Sequence, residues 1–199
     1  ILNSLYDIAW LLNIRGNDIN NTPVVLSTAV ITLDKVYYFV DEEKLNDEIK
    51  AEFNKIGIEV RNYFEIYDFV KTIQKDEVVL LDGTTVNYKL YRNIPSNVSI
   101  IDAPNPTFIF KAIKNEVELK NIRECHIKDG IAMTKFMYWL KTNIGKIKIT
   151  EISASDKLEQ LRRSDKDCFD LSFPTISGYK EHAAMMHYSA TKESEYELE

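Results

Sequence analysis

Two β-branched, apolar runs, "VVLSTAVIT" from Val24 to Thr32 and "VYYFV" from Val36 to Val40, are separated only by Leu33, Asp34 and Lys35. A link this short joins antiparallel strands and has no room for the crossover that parallel neighbours need. The pattern then changes. Leu45, Ile49, Phe53 and Ile56 recur at helical spacing and stop at Gly57, after which Ile58 to Val60 is again strand-like. Ile66, Phe69, Val70 and Ile73 repeat the helical spacing before a strand at Val78 to Leu81. A hairpin followed by alternating helices and strands predicts an α/β domain built on a mixed sheet, with Ile100 and Ile101 closing that sheet. Upstream, "IAWLLNI" from Ile8 to Ile14 has strand composition, and "RGNDINNTP" from Arg15 to Pro23 is turn chemistry.

Pro104 and Pro106 punctuate the chain before it becomes helical again, which puts a domain boundary near Asp102 to Thr107 and divides the chain into residues 1–102 and 103–199. Asn115 with Glu118 three residues later is a capping-box pattern opening a long helix. Met133, Phe136, Met137 and Leu140 form its later apolar stripe, and a stripe of this kind at helical spacing is core. Thr150 caps a second helix, with Ile152, Leu158 and Leu161 facing inward and Arg162 and Arg163 reaching solvent. There is no internal repeat and no low-complexity tract.

An apolar fraction of 45% against 28% charged residues is that of a globular protein with a real core. The formal net charge is -6, from 25 basic and 31 acidic side chains, which disfavours nucleic acid and anionic membrane surfaces as partners. The longest apolar stretch, Val24 to Leu33, is interrupted by Ser27, Thr28 and Thr32 and falls far short of the roughly 20 residues of a spanning helix. Cys125 and Cys168 make neither a disulfide framework nor a zinc pattern, and are expected as reduced thiols in a cytoplasmic protein. A start at Ile1 and a finish in "KESEYELE" suggest a piece cut at both ends.

The chemistry-bearing residues concentrate late. His182 and His187, five positions apart, share neither a helix face nor a strand face and are poor joint metal ligands; no metal site is expected from these residues. His182 lies in a polar "YKEH" loop and is expected to be solvated, whereas Ala183 to Met186 before His187 and Tyr188 after it suggest a buried strand ending in an imidazole. His126 falls inside the long helix and is expected to be structural. "LLDGTT" from Leu80 to Thr85 resembles part of a metal-binding carboxylate motif, but Val86 and Asn87 follow where a second carboxylate would be needed, so Asp82 is expected to end a strand and start a turn. There is no Gly-rich phosphate loop, nucleophile elbow or HExxH motif.

Four blocks in order, "DIAWLLNIRGNDINNTPVVLS" (Asp7 to Ser27), "KAIKNEVELKNIRECHIKDGIAMTKFMYWL" (Lys111 to Leu140), "TEISASDKLEQLRR" (Thr150 to Arg163) and "DLSFPTISG" with "HY" (Asp170 to Gly178, His187 and Tyr188), resemble aminopeptidase P, the Xaa-Pro aminopeptidase family of the pita-bread metallopeptidase superfamily. The resemblance covers nearly the whole chain. It implies a creatinase-like, mixed-sheet N-terminal domain over residues 1–102, followed by the truncated beginning of an α+β pita-bread catalytic domain over 103–199. It also implies removal of an N-terminal residue from peptides with proline at position two, in a cytoplasmic protein that is a homodimer when intact. Two divalent metal ions, Mn2+ by the family's habit, belong to the intact enzyme, with ligands in later parts of the catalytic domain, so these 199 residues alone are expected to bind none and to be inactive.

By the same resemblance, His187 is the catalytic and substrate-binding histidine of the "HY" pair, beside the metals but not a ligand, and Phe173 helps to line the proline pocket. A prolyl bond has no N–H to donate and a ring that fixes local geometry, so it needs a dedicated site. Family members carry an Asn-containing turn ahead of "HY", whereas Tyr179, Lys180, Glu181 and His182 follow Gly178 here. Two alternatives share the fold: a non-catalytic binding module like that of a histone-chaperone subunit, and a prolidase or creatinase relative with another substrate length.

Overall fold

β1 (Ser27–Ile31) and β2 (Val36–Val40) pair antiparallel in the computed structural model, which describes residues 1–199, with Ser27 opposite Val40 and Ile31 opposite Val36. Thr32 makes the turn: its hydroxyl accepts from the Lys35 amide at 3.1 Å while its own amide donates to the Lys35 carbonyl at 2.9 Å. β2 is the innermost strand. Tyr38, Phe39 and Val40 are all fully buried, and because neighbouring side chains point to opposite faces, Phe39 enters one apolar cluster while Tyr38 and Val40 enter another. Burial on both faces accounts for an unbroken apolar run where a half-exposed strand would alternate.

α2 (Asp47–Lys55) is capped by Asn46, whose side chain accepts from the Ile49 amide at 2.8 Å, and it ends at Gly57, whose φ of 80° few other residues tolerate. Phe53 of this helix meets the Tyr38 ring edge-on at 5.7 Å. The chain returns through β3 (Ile58–Asn62), parallel to β2, and the short α3 (Ile66–Phe69). β4 (Val78–Leu81), α4 (Tyr88–Asn93) and β5 (Ser99–Asp102) follow, β5 lying parallel to β4. The single sheet expected from the pattern is in fact two, of order β1-β2-β3 and β4-β5. Backbone and side chains both join them: the Ile1 ammonium donates to the Leu80 carbonyl at 2.7 Å while Leu2 pairs with Ala29 of β1, and Val30 and Phe39 of the first share one cluster with Val79 and Leu81 of the second and with Ile66, Val70 and Leu90. Asp82 behaves as expected, accepting from the Thr84 amide at 2.9 Å in a turn after β4.

The strand expected over Ile8 to Ile14 is instead α1 (Leu5–Leu11). Ser4 caps it by accepting from the Asp7 amide, and Ala and Leu within "IAWLLNI" favour helix over strand. α5 (Pro106–Ala112) packs on α1 through Asp7, which is 4% exposed and receives the Thr107 hydroxyl at 2.8 Å and the Lys111 ammonium at 2.9 Å. For this reason the first compact unit runs from Ile1 to Lys114, past the prolines that suggested a boundary near Asp102.

The second unit, Asn115 to Glu199, holds α6 (Glu116–Asn143) and α7 (Glu151–Arg163). Both predicted caps form: Asn115 and Glu118 exchange bonds at 2.9 and 2.8 Å, and Thr150 does the same with Ser153. One expectation fails here and another holds in part. In α6 only Ala132 is buried, so the Met133 to Leu140 stripe is part-exposed and Met137 stands 49% exposed. Arg163 reaches solvent as expected, paired there with Glu159 and Asp170, whereas Arg162 is half-buried against Asp129 at 2.7 Å. His126 lies on an exposed face of α6, its Nδ1 2.9 Å from the Ile122 carbonyl.

Candidate functional site

Thr150 ends an extended approach and turns the chain into α7, which puts Glu151 at the first helical position with its side chain fully buried. Four donors converge on this carboxylate. The Tyr179 amide donates to Oε1 at 2.6 Å, the Tyr196 amide to Oε2 at 3.0 Å and the Tyr188 hydroxyl to Oε2 at 2.7 Å. His182 Nδ1 sits 3.0 and 3.1 Å from the two oxygens. Burial alone raises the Glu151 pKa, but Tyr188, the two amides and His182 oppose it and carry it down to about 2. An ionised acceptor makes Nδ1 the donor of the His182 ring. The backbone reinforces the arrangement, with Glu151 N donating to Tyr196 O at 3.1 Å and Leu198 N to Ile149 O at 2.8 Å.

His182 is clamped as well as bonded. Its ring lies between Tyr196, at 4.0 Å and 15°, and Tyr188, at 4.5 Å and 29°. The Tyr196 hydroxyl in turn donates to Glu181 at 3.0 Å. The expectation of a solvated His182 is therefore wrong: its side chain is 12% exposed and is a central member of the cluster.

His187 is placed differently from the buried strand end expected for it. Residues Lys180–Ala184 form a short 3-10 helix, a turn follows, and His187 is exposed with φ at 55°, between Met186, 92% exposed, and the buried Tyr188. Lys180, at φ 51°, starts the same segment. Left-handed backbone at non-glycine residues costs of order 1–3 kcal/mol and persists where the surroundings impose it. Phe173 is also exposed, at 61%, directly before Pro174. A separate cavity of about 660 Å³ lies between α6 and the end of α7, lined by Cys125, His126, Asp129, Arg162, Cys168 and Phe169 among others, and neither His187 nor Phe173 borders it.

No group of three or more His, Cys, Asp or Glu side chains is arranged to hold a metal ion. Glu151 and His182, the best candidates by type, already spend their oxygens and Nδ1 on each other and on tyrosines. The residues present do not fit a dinuclear metal group. No helix is long and apolar enough to cross a membrane.

A mixed-sheet domain followed by a capped helix pair and a buried carboxylate cluster defines a two-part class, and comparison with known families agrees. Residues 1–118 match the creatinase/prolidase N-terminal domain and residues 120–198 match metallopeptidase family M24. The chain belongs to the creatinase/prolidase family of metallopeptidases, in its aminopeptidase P branch. It is 36% identical to a probable Xaa-Pro aminopeptidase P of Botryotinia fuckeliana, over 94% of this chain and 30% of that protein. It is also 36% identical to Xaa-Pro aminopeptidase 1 of Dictyostelium discoideum, with the same coverage of 94% and 30%. Among solved structures, the X-prolyl aminopeptidase of Caenorhabditis elegans, described as a cytosolic enzyme with a di-nuclear active site, superposes with a TM-score of 0.90 at 30% identity, over 98% of this chain and 33% of that one. The chain thus spans about a third of the length of the relatives it matches.

Glu151 was hidden from sequence reasoning because its partners arrive 28 to 45 residues later. The visible signal was a Glu directly after the Thr150 cap, followed downstream by Tyr179, His182, Tyr188 and Tyr196.

Proposed function

We propose that the full-length protein carrying this chain is a cytoplasmic aminopeptidase that removes the N-terminal residue from peptides with proline at position two. The observation that supports this best is a likeness to an X-prolyl aminopeptidase along 98% of the chain, across both units. On this reading His187 is the catalytic residue contributed by these 199 residues. Its exposed imidazole is free to hydrogen-bond the substrate about the scissile bond and to hold or deliver a proton at the leaving imide nitrogen, which has no N–H of its own. Phe173, exposed beside Pro174, offers an apolar face to the proline ring. The pair of divalent ions, manganese by family resemblance, belongs to residues of the full-length protein outside this chain, and the 199-residue chain alone is inactive. The full-length protein is a homodimer.

The test is cleavage of Ala-Pro-Ala against Ala-Ala-Ala by the purified full-length protein supplied with Mn2+. Release of alanine from the proline peptide alone, and a fall of about 100-fold or more in kcat for His187→Ala, is the expected result. Equal rates on both peptides, or full activity without His187, would remove the reading. Cleavage by the isolated chain would overturn the division of labour.

A further inference from the structure

The imidazole of His187 makes no hydrogen bond, ion pair or ring contact of its own, so its place depends on the backbone on either side of it. Both sides are tied to one carboxylate. Upstream, Glu151 binds the Tyr179 amide and His182 Nδ1; directly downstream it binds the Tyr188 hydroxyl. The His182 ring is stacked between Tyr188 and Tyr196, so it cannot leave the carboxylate without disturbing the residue next to His187.

We propose that Glu151 and His182 are positioning residues: through the Nδ1 contact and the tyrosine sandwich they hold residues 179–188 in the shape that presents His187. The inference rests on the proposed catalytic role of His187. Neither residue is required to touch substrate. What His182 must supply is a planar group with an N–H at the Nδ1 position, which an asparagine amide also provides, whereas a leucine fills similar space and donates nothing.

Three variants of the full-length protein test this: Glu151→Gln, His182→Leu and His182→Asn. With folded protein as the concentration basis, the first two should lower kcat for Ala-Pro-Ala about 10- to 100-fold, as for loss of a group that orients a catalytic residue, with KM within about threefold. His182→Asn should restore at least a third of the kcat lost in His182→Leu. A kcat for His182→Leu within twofold of the parent, or an asparagine variant as impaired as the leucine one, overturns the proposal.

A second readout does not depend on activity. In the full-length protein, hydrogen exchange at the Met185 amide, which donates to the His182 carbonyl at 3.1 Å, and at the Tyr179 amide, bound to Glu151, should quicken in His182→Leu and stay near the parent in His182→Asn. Unchanged values in His182→Leu refute the positioning role. Should the full-length parent fail to cleave prolyl peptides, the functional reading falls and this measurement still decides whether the pair orders the His187 turn.

Discussion

The Thr107 hydroxyl donates a 2.8 Å hydrogen bond to the buried carboxylate of Asp7 across 100 residues of chain, and Lys111, one turn further along the same helix, adds a charge at 2.9 Å. This is how α5 is held on α1. Thr107→Val keeps the shape and removes the donor, so it should cost about 1.5–3 kcal/mol, the range for a hydrogen bond to a charged group. Asp7→Ala, which removes the acceptor for both partners, should cost more. Urea unfolding followed by tryptophan fluorescence measures both, since Trp10 lies on α1.

Glu151 should be among the most sensitive positions of the second unit. Glu151→Ala leaves the Tyr188 hydroxyl, two backbone amides and His182 Nδ1 facing a hole, and stranded buried donors cost about 1–3 kcal/mol each. A loss of at least about 3 kcal/mol is expected, against less for Glu151→Gln, which keeps one acceptor oxygen. Hydrogen exchange at the Tyr179 and Tyr196 amides provides a local check: both should become exchangeable in the alanine variant.

The same carboxylate sets an acid limit. Its folded pKa of about 2 lies below the ordinary glutamate value of 4.5, so between those values the unfolded chain binds more protons than the folded one. The contribution is therefore complete above about pH 4.5 and is lost as pH falls towards 2. In Glu151→Gln that component is absent: the stability gap between parent and variant should be widest near neutrality and narrow steadily below pH 4.5. A gap that stays constant down to pH 2.5 would contradict the low folded pKa.

Local chemistry made much of the fold legible. The three-residue link between β1 and β2 left no choice but a hairpin, and the Asn115–Glu118 and Thr150 caps were readable because every participant lies within three residues. What stayed hidden depended on distant partners. "IAWLLNI" became a helix because Ser4 caps it and Asp7 finds Thr107 and Lys111, a pairing that no window around Ile8 contains. His182 reads as a loop residue until the rings of Tyr188 and Tyr196 close on it. His187 was singled out by resemblance alone; its surroundings suggested a buried strand, whereas the structure gives an exposed turn.

α6 carries Val117, Ile127, Ile131 and Tyr138 at 50% exposure or more, with only Ala132 buried along its 28 residues. Apolar surface on this scale promotes association. The isolated 199-residue chain should bind a hydrophobic dye and show concentration-dependent light scattering near neutral pH. Ile127→Lys with Ile131→Glu should reduce both without lowering the melting temperature, because neither side chain is part of a buried cluster.

Gly178 offers the most economical perturbation of the His187 turn. A Cβ at this position would stand 3.0 Å from both the carbonyl carbon and oxygen of His182 and 3.1 Å from the Ala183 nitrogen. All three are backbone atoms, which cannot swing aside as the tip of a side chain would, so the 3-10 segment Lys180–Ala184 must move by a few tenths of an ångström. That shift pulls His182 Nδ1 against a carboxylate fixed at the start of α7. Gly178→Ala should therefore destabilise by about 1–3 kcal/mol, the usual range for overpacking. In the full-length protein it should lower kcat for prolyl peptides more than it raises KM, following Glu151→Gln in kind. A crystal structure of Gly178→Ala with the His182–Glu151 contact intact, together with unchanged kinetics, would show that the turn absorbs the methyl group and that Gly178 plays no part in holding His187.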